Sequence, residues 1–151
     1  LSACVDERDE QKIGAYFHVL NDLERIGDHA ENFHEIGQEM LDKKLAFSDM
    51  ALSDIKQMYG VAIAMIAIAK DALDTESLDR LPALTDLENQ TDEMKRTFSA
   101  KHFSRLSEGH CSLEVSPYYT STITGLERVA DHIVNVGYSI CNPVGDDEEH
   151  T

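Results

Sequence analysis

The chain has 151 residues, room for one compact domain with its own core. Its 29 acidic side chains against 13 basic ones leave a formal net charge of −16. That balance works against nucleic-acid phosphates and against direct docking on an anionic bilayer, and favours cations, basic partners or plain solubility. Cys4, Cys111 and Cys141 are odd in number and far apart, so neither a zinc knuckle nor a secreted disulfide framework is expected, and reduced thiols are the default.

Gly and Pro are scarce and no segment alternates with period two, which predicts an all-α chain of four long helices. The first is expected from about Glu7 to Asp42, with Ile13, Tyr16, Phe17, Leu20, Leu23, Ile26 and Ala30 as its apolar stripe. Lys43 and Lys44 suit a helix C-terminus. Ser48 is the expected N-cap of the second helix, whose stripe is Leu52, Ile55, Tyr59, Ala62, Ile63, Ile66 and Leu73. Its apolar run "VAIAMIAIA", starting at Val61, is shorter than the ~20 residues a bilayer takes and reads as buried helix.

The third helix is expected from near Asp79, with Pro82 in its first turn, where a missing N–H costs little. Leu84, Leu87, Thr91, Met94 and Phe98 alternate by three and four, a bundle seam, until "SEGHCS" breaks it. The fourth is expected to be capped by Ser116, carries Pro117 at its first position and lines up Ile123, Leu126, Ala130, Ile133, Gly137 and Ile140. Asn142, Pro143 and Gly145 stop it. Short connections between long amphipathic helices predict an antiparallel up-and-down four-helix bundle over residues 1–142, followed by a polar acidic tail over 143–151 that is expected to be disordered.

The first and fourth helices share a phrase: "LERIGDHAEN" from Leu23 and "LERVADHIVN" from Leu126, 103 positions apart. Two intervening helices of other sequence make this the period of a three-helix unit, so the chain holds the last helix of one unit and the whole of the next. Glu24, Asp28 and Asn32 stack along one helical face, as do Glu127, Asp131 and Asn135, because four residues make just over one turn. The third helix supplies a matching pair, Glu88 and Asp92, in "LENQTDEMK". Stacked carboxylates repel and call for a cation. Arg25 and Arg128 are one answer; a metal ion held by hard oxygen ligands is the other. Packed antiparallel, the third and fourth helices would bring Glu88, Asp92, Glu127 and Asp131 together. Solvated faces with intrahelical ion pairs stay open as the alternative.

His29 and His132, about 100° round the helix from the carboxylates, could complete such a site from the side or hydrogen-bond a neighbouring helix. Gly27 and Ala130 occupy a small position that allows close helix approach. A di-iron bundle oxidase needs two Glu-x-x-His elements; only Glu31–His34 exists, and no phosphate loop or nucleophile elbow is present, so no enzyme is expected.

"DLERIGDHAEN" and "GLERVADHIVN" resemble the signature helix of PhoU-type domains, and "LENQTD" resembles the family's middle-helix motif. The resemblance implies two three-helix repeats and a regulatory role in bacterial phosphate uptake and signalling. It further implies multinuclear metal clusters, iron in particular and sometimes zinc, held by E/D-x-x-x-D motifs. Here those ligands would be Glu88, Asp92, Glu127 and Asp131, then Glu24 and Asp28, which lack a middle-helix partner in this chain. Similar domains form the cytoplasmic C-terminal part of sodium/phosphate cotransporter-like proteins. A chain that begins mid-unit with Leu fits that case. Its partner would be the membrane part of the same polypeptide, or phosphate transport machinery, on the cytoplasmic side of the bacterial inner membrane. The competing reading is a metal-free helical interaction module, with the first helix as a homodimer surface.

Overall fold

A computed structural model describes residues 7–141, as four helices: α1 Glu7–Asp42, α2 Asp49–Thr75, α3 Leu81–Ser107 and α4 Ser116–Cys141. The expected tail over 143–151, the stop residues Asn142 to Gly145, Cys4, and the side chains of Ile140 and Cys141 lie outside what is described.

Local chemistry explains the ends. Ser48 caps α2 as expected, its Oγ accepting from the Ala51 N–H at 3.2 Å. Ser116 is the first residue of α4, and its Oγ lies 2.8 Å from His102 Nε2 of α3, so its hydroxyl ties two helices together. After α1, Leu45 N donates to Met40 O at 2.8 Å and Lys44 N to Leu41 O at 3.1 Å, with Lys44 at φ 56°. That is a Schellman motif closed by lysine instead of glycine. The same motif ends α3, where Gly109 takes the left-handed position at φ 74° and His110 N reaches Arg105 O at 2.9 Å.

Paired side chains give the helix directions. Asp22 meets His132 and Lys43 meets Tyr118, so α1 and α4 run antiparallel. Asp54 with Arg105 and Asp71 with Arg80 set α2 against α3 in the same sense, as do Lys95 with Glu127 and Thr85 with Tyr138 for α3 and α4. The helices do not form a closed square. α4 packs against all three others, α2 also against α3, and α1 approaches only α4 along the backbone. The complete unit α2–α3–α4 is thus a three-helix bundle with α1 laid on the outside of α4. Its core has a larger section around Met65, Leu84, Val129, Ala130 and Ile133, and a second around Met58, Phe98, Tyr119, Ile123 and Leu126. Gly137 lets Leu84 approach so closely that an added Cβ would lie 2.6 Å from its Cδ2, and Gly125 does the same for Phe33 of α1.

The expected stripes of α3 and α4 are largely the buried ones, whereas those of α1 and α2 need correction. On α1 the packed residues are Val19, Asp22, Ile26, Phe33, Ile36 and Met40, while Ile13, Tyr16, Phe17, Leu20, Leu23 and Ala30 are exposed. On α2, Ala51, Met58, Ala62, Met65, Ile68, Ala69 and Ala72 are buried, and Leu52, Tyr59, Ile63, Ile66 and Leu73 are exposed. Both helices are apolar on two sides, so periodicity alone could not choose between faces. Between α1 and α2, over α4, runs an apolar cleft of about 270 Å³ lined by Val19, Leu23, Ile26, Ile66, Leu73 and Val136 among others. As a whole α2 is long and apolar enough, by length and composition, to cross a bilayer, although one face is packed into the bundle.

Candidate functional site

The antiparallel register of α3 and α4 sets Glu88 and Asp92 of α3 opposite Asp131 and Glu127 of α4. Asp92, Glu127 and Asp131 each offer a carboxylate oxygen within 4.8 Å of the others, and all three are half-buried. Glu88, also half-buried, borders Asp131. Four of the sequence-derived residues therefore share one patch.

Crowded acids resist ionisation, and this patch shows it. Burial, contact with the Glu88 carboxyl and the charge of Asp92 push the Asp131 carboxyl up to about 6. Burial and the neighbouring Glu127 carboxylate also raise Asp92. Lys95 answers them in part, its Nζ lying 3.3 Å from Glu127 Oε2. The donor set is all oxygen, hard and partly desolvated, and its like charges are incompletely compensated. It fits a cation that prefers carboxylates, such as iron, manganese, magnesium or calcium, better than zinc sites built on thiolate or imidazole.

The first copy of the phrase is placed differently. Glu24, Asp28 and Asn32 are exposed on α1, and no carboxylate pair from another described helix faces Glu24 or Asp28. Asn32 borders a shallow polar recess with His29, Thr124 and Arg128, away from the carboxylate patch. Asn135 is exposed on α4. The histidines lie at the α1–α4 contact. His132 Nδ1 is 3.0 Å from Oδ1 of the buried Asp22, and the His29 ring lies 5.7 Å from that of His132. Burial, His132 and Arg128 lower the His29 pKa against the pull of Asp28. In this geometry the imidazole of His132 turns toward α1, consistent with the helix-packing alternative.

Sequence reading missed Asp22, which stands just before the first phrase and whose partner His132 is 110 residues away. It also missed a buried polar group near the start of α2. Arg105 donates to Asp54 at 3.1 Å, Tyr119 donates to the same carboxylate oxygen at 2.8 Å, and His102 stacks on Tyr119 at 4.3 Å. Burial and the Asp54 charge hold the Tyr119 phenol far above its ordinary range, and burial with Arg105 lowers His102. This group ties α2, α3 and α4 together. Both acids stand in helical register with apolar positions, Asp22 between Val19 and Ile26 and Asp54 between Ala51 and Met58. That was the available signal.

Comparison with known proteins adds the lineage. The family model described as the PhoU domain matches residues 55–140. A curated relative, the phosphate-specific transport system accessory protein PhoU homolog 1 of Thermotoga maritima, is 32% identical over 116 residues, which cover 77% of this chain and 49% of the relative. The chain therefore spans about half the length of the curated relative it matches. No solved structure matches it.

Proposed function

Since this chain belongs to the PhoU domain family, we propose that it is a regulatory domain linked to phosphate transport that binds metal ions on its α3–α4 carboxylate patch. The observation that carries the metal reading is the convergence of Asp92, Glu127 and Asp131 within 4.8 Å, bordered by Glu88. Support for the transport link is the family itself and the role named for the Thermotoga relative, an accessory protein of phosphate-specific transport.

Asp92, Glu127 and Asp131 would hold the ion, with Glu88 as a further oxygen donor. A bound cation would neutralise charge and cross-link α3 to α4. Lys95 holds that role in part for Glu127 and would have to release it on loading. Binding requires ionised carboxylates, so it displaces the proton that Asp131 retains near its raised pKa, and affinity rises with pH through that range. A regulatory readout follows only if loading favours one helix arrangement over another. In the same reading the domain serves a membrane transporter, as the cytoplasmic portion of a sodium/phosphate cotransporter-like polypeptide or as a partner of the transport machinery. It acts without catalytic turnover. Glu24 and Asp28 are assigned no metal in this reading, because no carboxylate pair among the described residues faces them.

The test is metal content by mass spectrometry after purification without chelator, with iron, manganese and zinc offered in turn. At least about one equivalent is expected for the parent chain. An Asp92→Asn/Asp131→Asn variant should lose most of it while retaining its helical circular dichroism. Equal metal content in parent and variant would remove the site assignment.

A further inference from the structure

The repeat sets two equivalent pairs across the α1–α4 contact: Asp22 with His132, and 103 positions away from each, Gly125 with His29. In the first pair the Asp22 carboxylate lies 3.0 Å from His132 Nδ1. In the second, glycine stands where the acid would be. Phe33 packs into the place of a Gly125 Cβ, which brings α1 and α4 close. Beside it opens a polar recess of about 240 Å³, lined by the side chains of His29, Asn32, Thr120, Ser121, Thr124 and Arg128. One contact thus holds a carboxylate against its histidine, and the other holds donors around a space with no acid in its wall.

The donors of this recess are uncommitted. Arg128 makes no ion pair among the described residues, and its charge acts on His29, where it opposes that of Asp28. Thr122 returns its hydroxyl to Tyr118 O at 2.7 Å, as Thr85 and Thr91 do to the carbonyl four residues back. Thr120, Ser121 and Thr124 form no such bond with a described residue. Three hydroxyl residues within five positions are also weak helix formers, on a surface where packing does not call for them. They are particular to α4: the repeat equivalents on α1 are Phe17, His18 and Asn21, while Arg25 matches Arg128. Ser121, Thr124 and Arg128 lie on the side of α4 turned away from the stripe buried against α2 and α3. Asn32 has the place in α1 that Asn135 has in α4, and Asn135 is exposed with α2 and α3 packed on its helix. The recess is therefore on the outer side of both repeat helices.

We propose that this recess binds a small tetrahedral oxyanion, either free phosphate or the phosphoryl group of a small phosphomonoester. Arg128 supplies the charge and a planar set of N–H donors, which suits an oxyanion. The hydroxyls of Thr120, Ser121 and Thr124 and the amide of Asn32 supply neutral donors from both walls, and a tetrahedral ion can meet donors from more directions than a planar carboxylate can. The ion takes, beside His29, the part that the Asp22 carboxylate takes beside His132. The net charge of −16 opposes any anion at long range, but salt screens charges beyond about 8 Å, so the local donors decide. The carboxylate patch lies on the α3 side of α4 and this recess on the α1 side, so the site does not rest on the metal reading.

The test is an amide NMR titration of the full 151-residue chain with sodium phosphate, up to about 20 mM at constant ionic strength and with EDTA present. Saturable shifts are expected at the amides of His29, Asn32, Thr124 and Arg128. Arg128→Gln should raise the Kd roughly 10-fold or more, and Thr124→Val about 3-fold, with helical circular dichroism unchanged. Arg25→Gln makes the same change of charge at the repeat equivalent and should leave the Kd unchanged. Glycerol 2-phosphate, titrated in parallel, separates the two sources: tighter binding than phosphate assigns the site to a phosphomonoester, weaker binding to the free ion. Shifts that grow without saturating would overturn the proposal. So would acetate binding as tightly as phosphate, or equal weakening by Arg25→Gln and Arg128→Gln. Because EDTA holds any metal, failure here is distinct from failure of the carboxylate site.

Discussion

α1 and α4 carry the same phrase in two environments. Leu126 is 5% exposed and Leu23 is 49% exposed. Asp131 meets Glu88 and Asp92 across a helix interface; Asp28 meets solvent. The small position of the phrase is open at Gly27 and buried at its equivalent, Ala130. The compared leucines and aspartates are identical, so at these positions the difference between the two regions is made by their neighbours. Among the described residues, α4 has α2 and α3 on its inner face, and no helix covers the equivalent face of α1. The phrase encodes a helix able to pack and to present carboxylates, and the rest of the unit decides whether either capacity is used.

The sharpest way to probe that difference is to delete matched side chains. Leu126→Ala should cost about 2–5 kcal/mol of unfolding free energy, because the methyl groups removed leave a cavity in a packed core. Leu23→Ala should cost less than about 1 kcal/mol within a single chain, since that side chain is already half in water. Urea unfolding at low micromolar concentration measures both. Equal losses would mean that α1 is covered in the same way as α4.

The carboxylates offer a second, smaller contrast. An acid whose folded-state pKa is raised binds protons more readily folded than unfolded. Its stabilising effect is complete below about pH 4 and is lost as pH climbs through the window from 3.8 to about 6. With chelator present, Asp131→Asn should therefore flatten that part of the pH–stability curve and stabilise the chain at pH 7 by about 1–2 kcal/mol, after allowance for solvent screening. Asp28→Asn should change stability by no more than about 0.5 kcal/mol and leave the slope intact. Thermal melts from pH 4 to 8 read both.

The smallest contrast lies in the glycines. Gly27→Ala meets open space in a helix interior and should gain up to about 1 kcal/mol from helix propensity. Gly125→Ala places a methyl 2.6 Å from the Phe33 ring and should lose stability as α1 is pushed off α4. A gain at both positions would show that the α1–α4 contact is loose enough to absorb a side chain.

Much of the fold was legible because helices announce their ends and spacing locally: the Ser48 cap, Pro82 in the first turn of α3 and the seam from Leu84 to Phe98 need no distant information. The carboxylate patch was legible for the same reason, since an i, i+4 pair on each of two antiparallel helices needs only the register to converge. The buried faces of α1 and α2 were not. Tyr16, Leu20, Tyr59 and Ile63 satisfy a helical apolar period as well as Val19, Ile26, Met58 and Met65 do, and the choice depends on α4 taking the central place. Asp22 with His132, and Asp54 with Arg105 and Tyr119, join residues 51 to 110 positions apart. No local pattern pairs such residues before the helices are assembled.

Asp131 and His132 are adjacent in the chain yet look in different directions, because one step along a helix turns about 100°. Asp131 touches the acids of α3, while His132 holds Asp22 of α1. α4 is thus a shaft with a contact on each side at one level. The acids of α3 and Asp22 of α1 therefore bear on neighbouring residues of the same helical turn, joined by a single peptide unit.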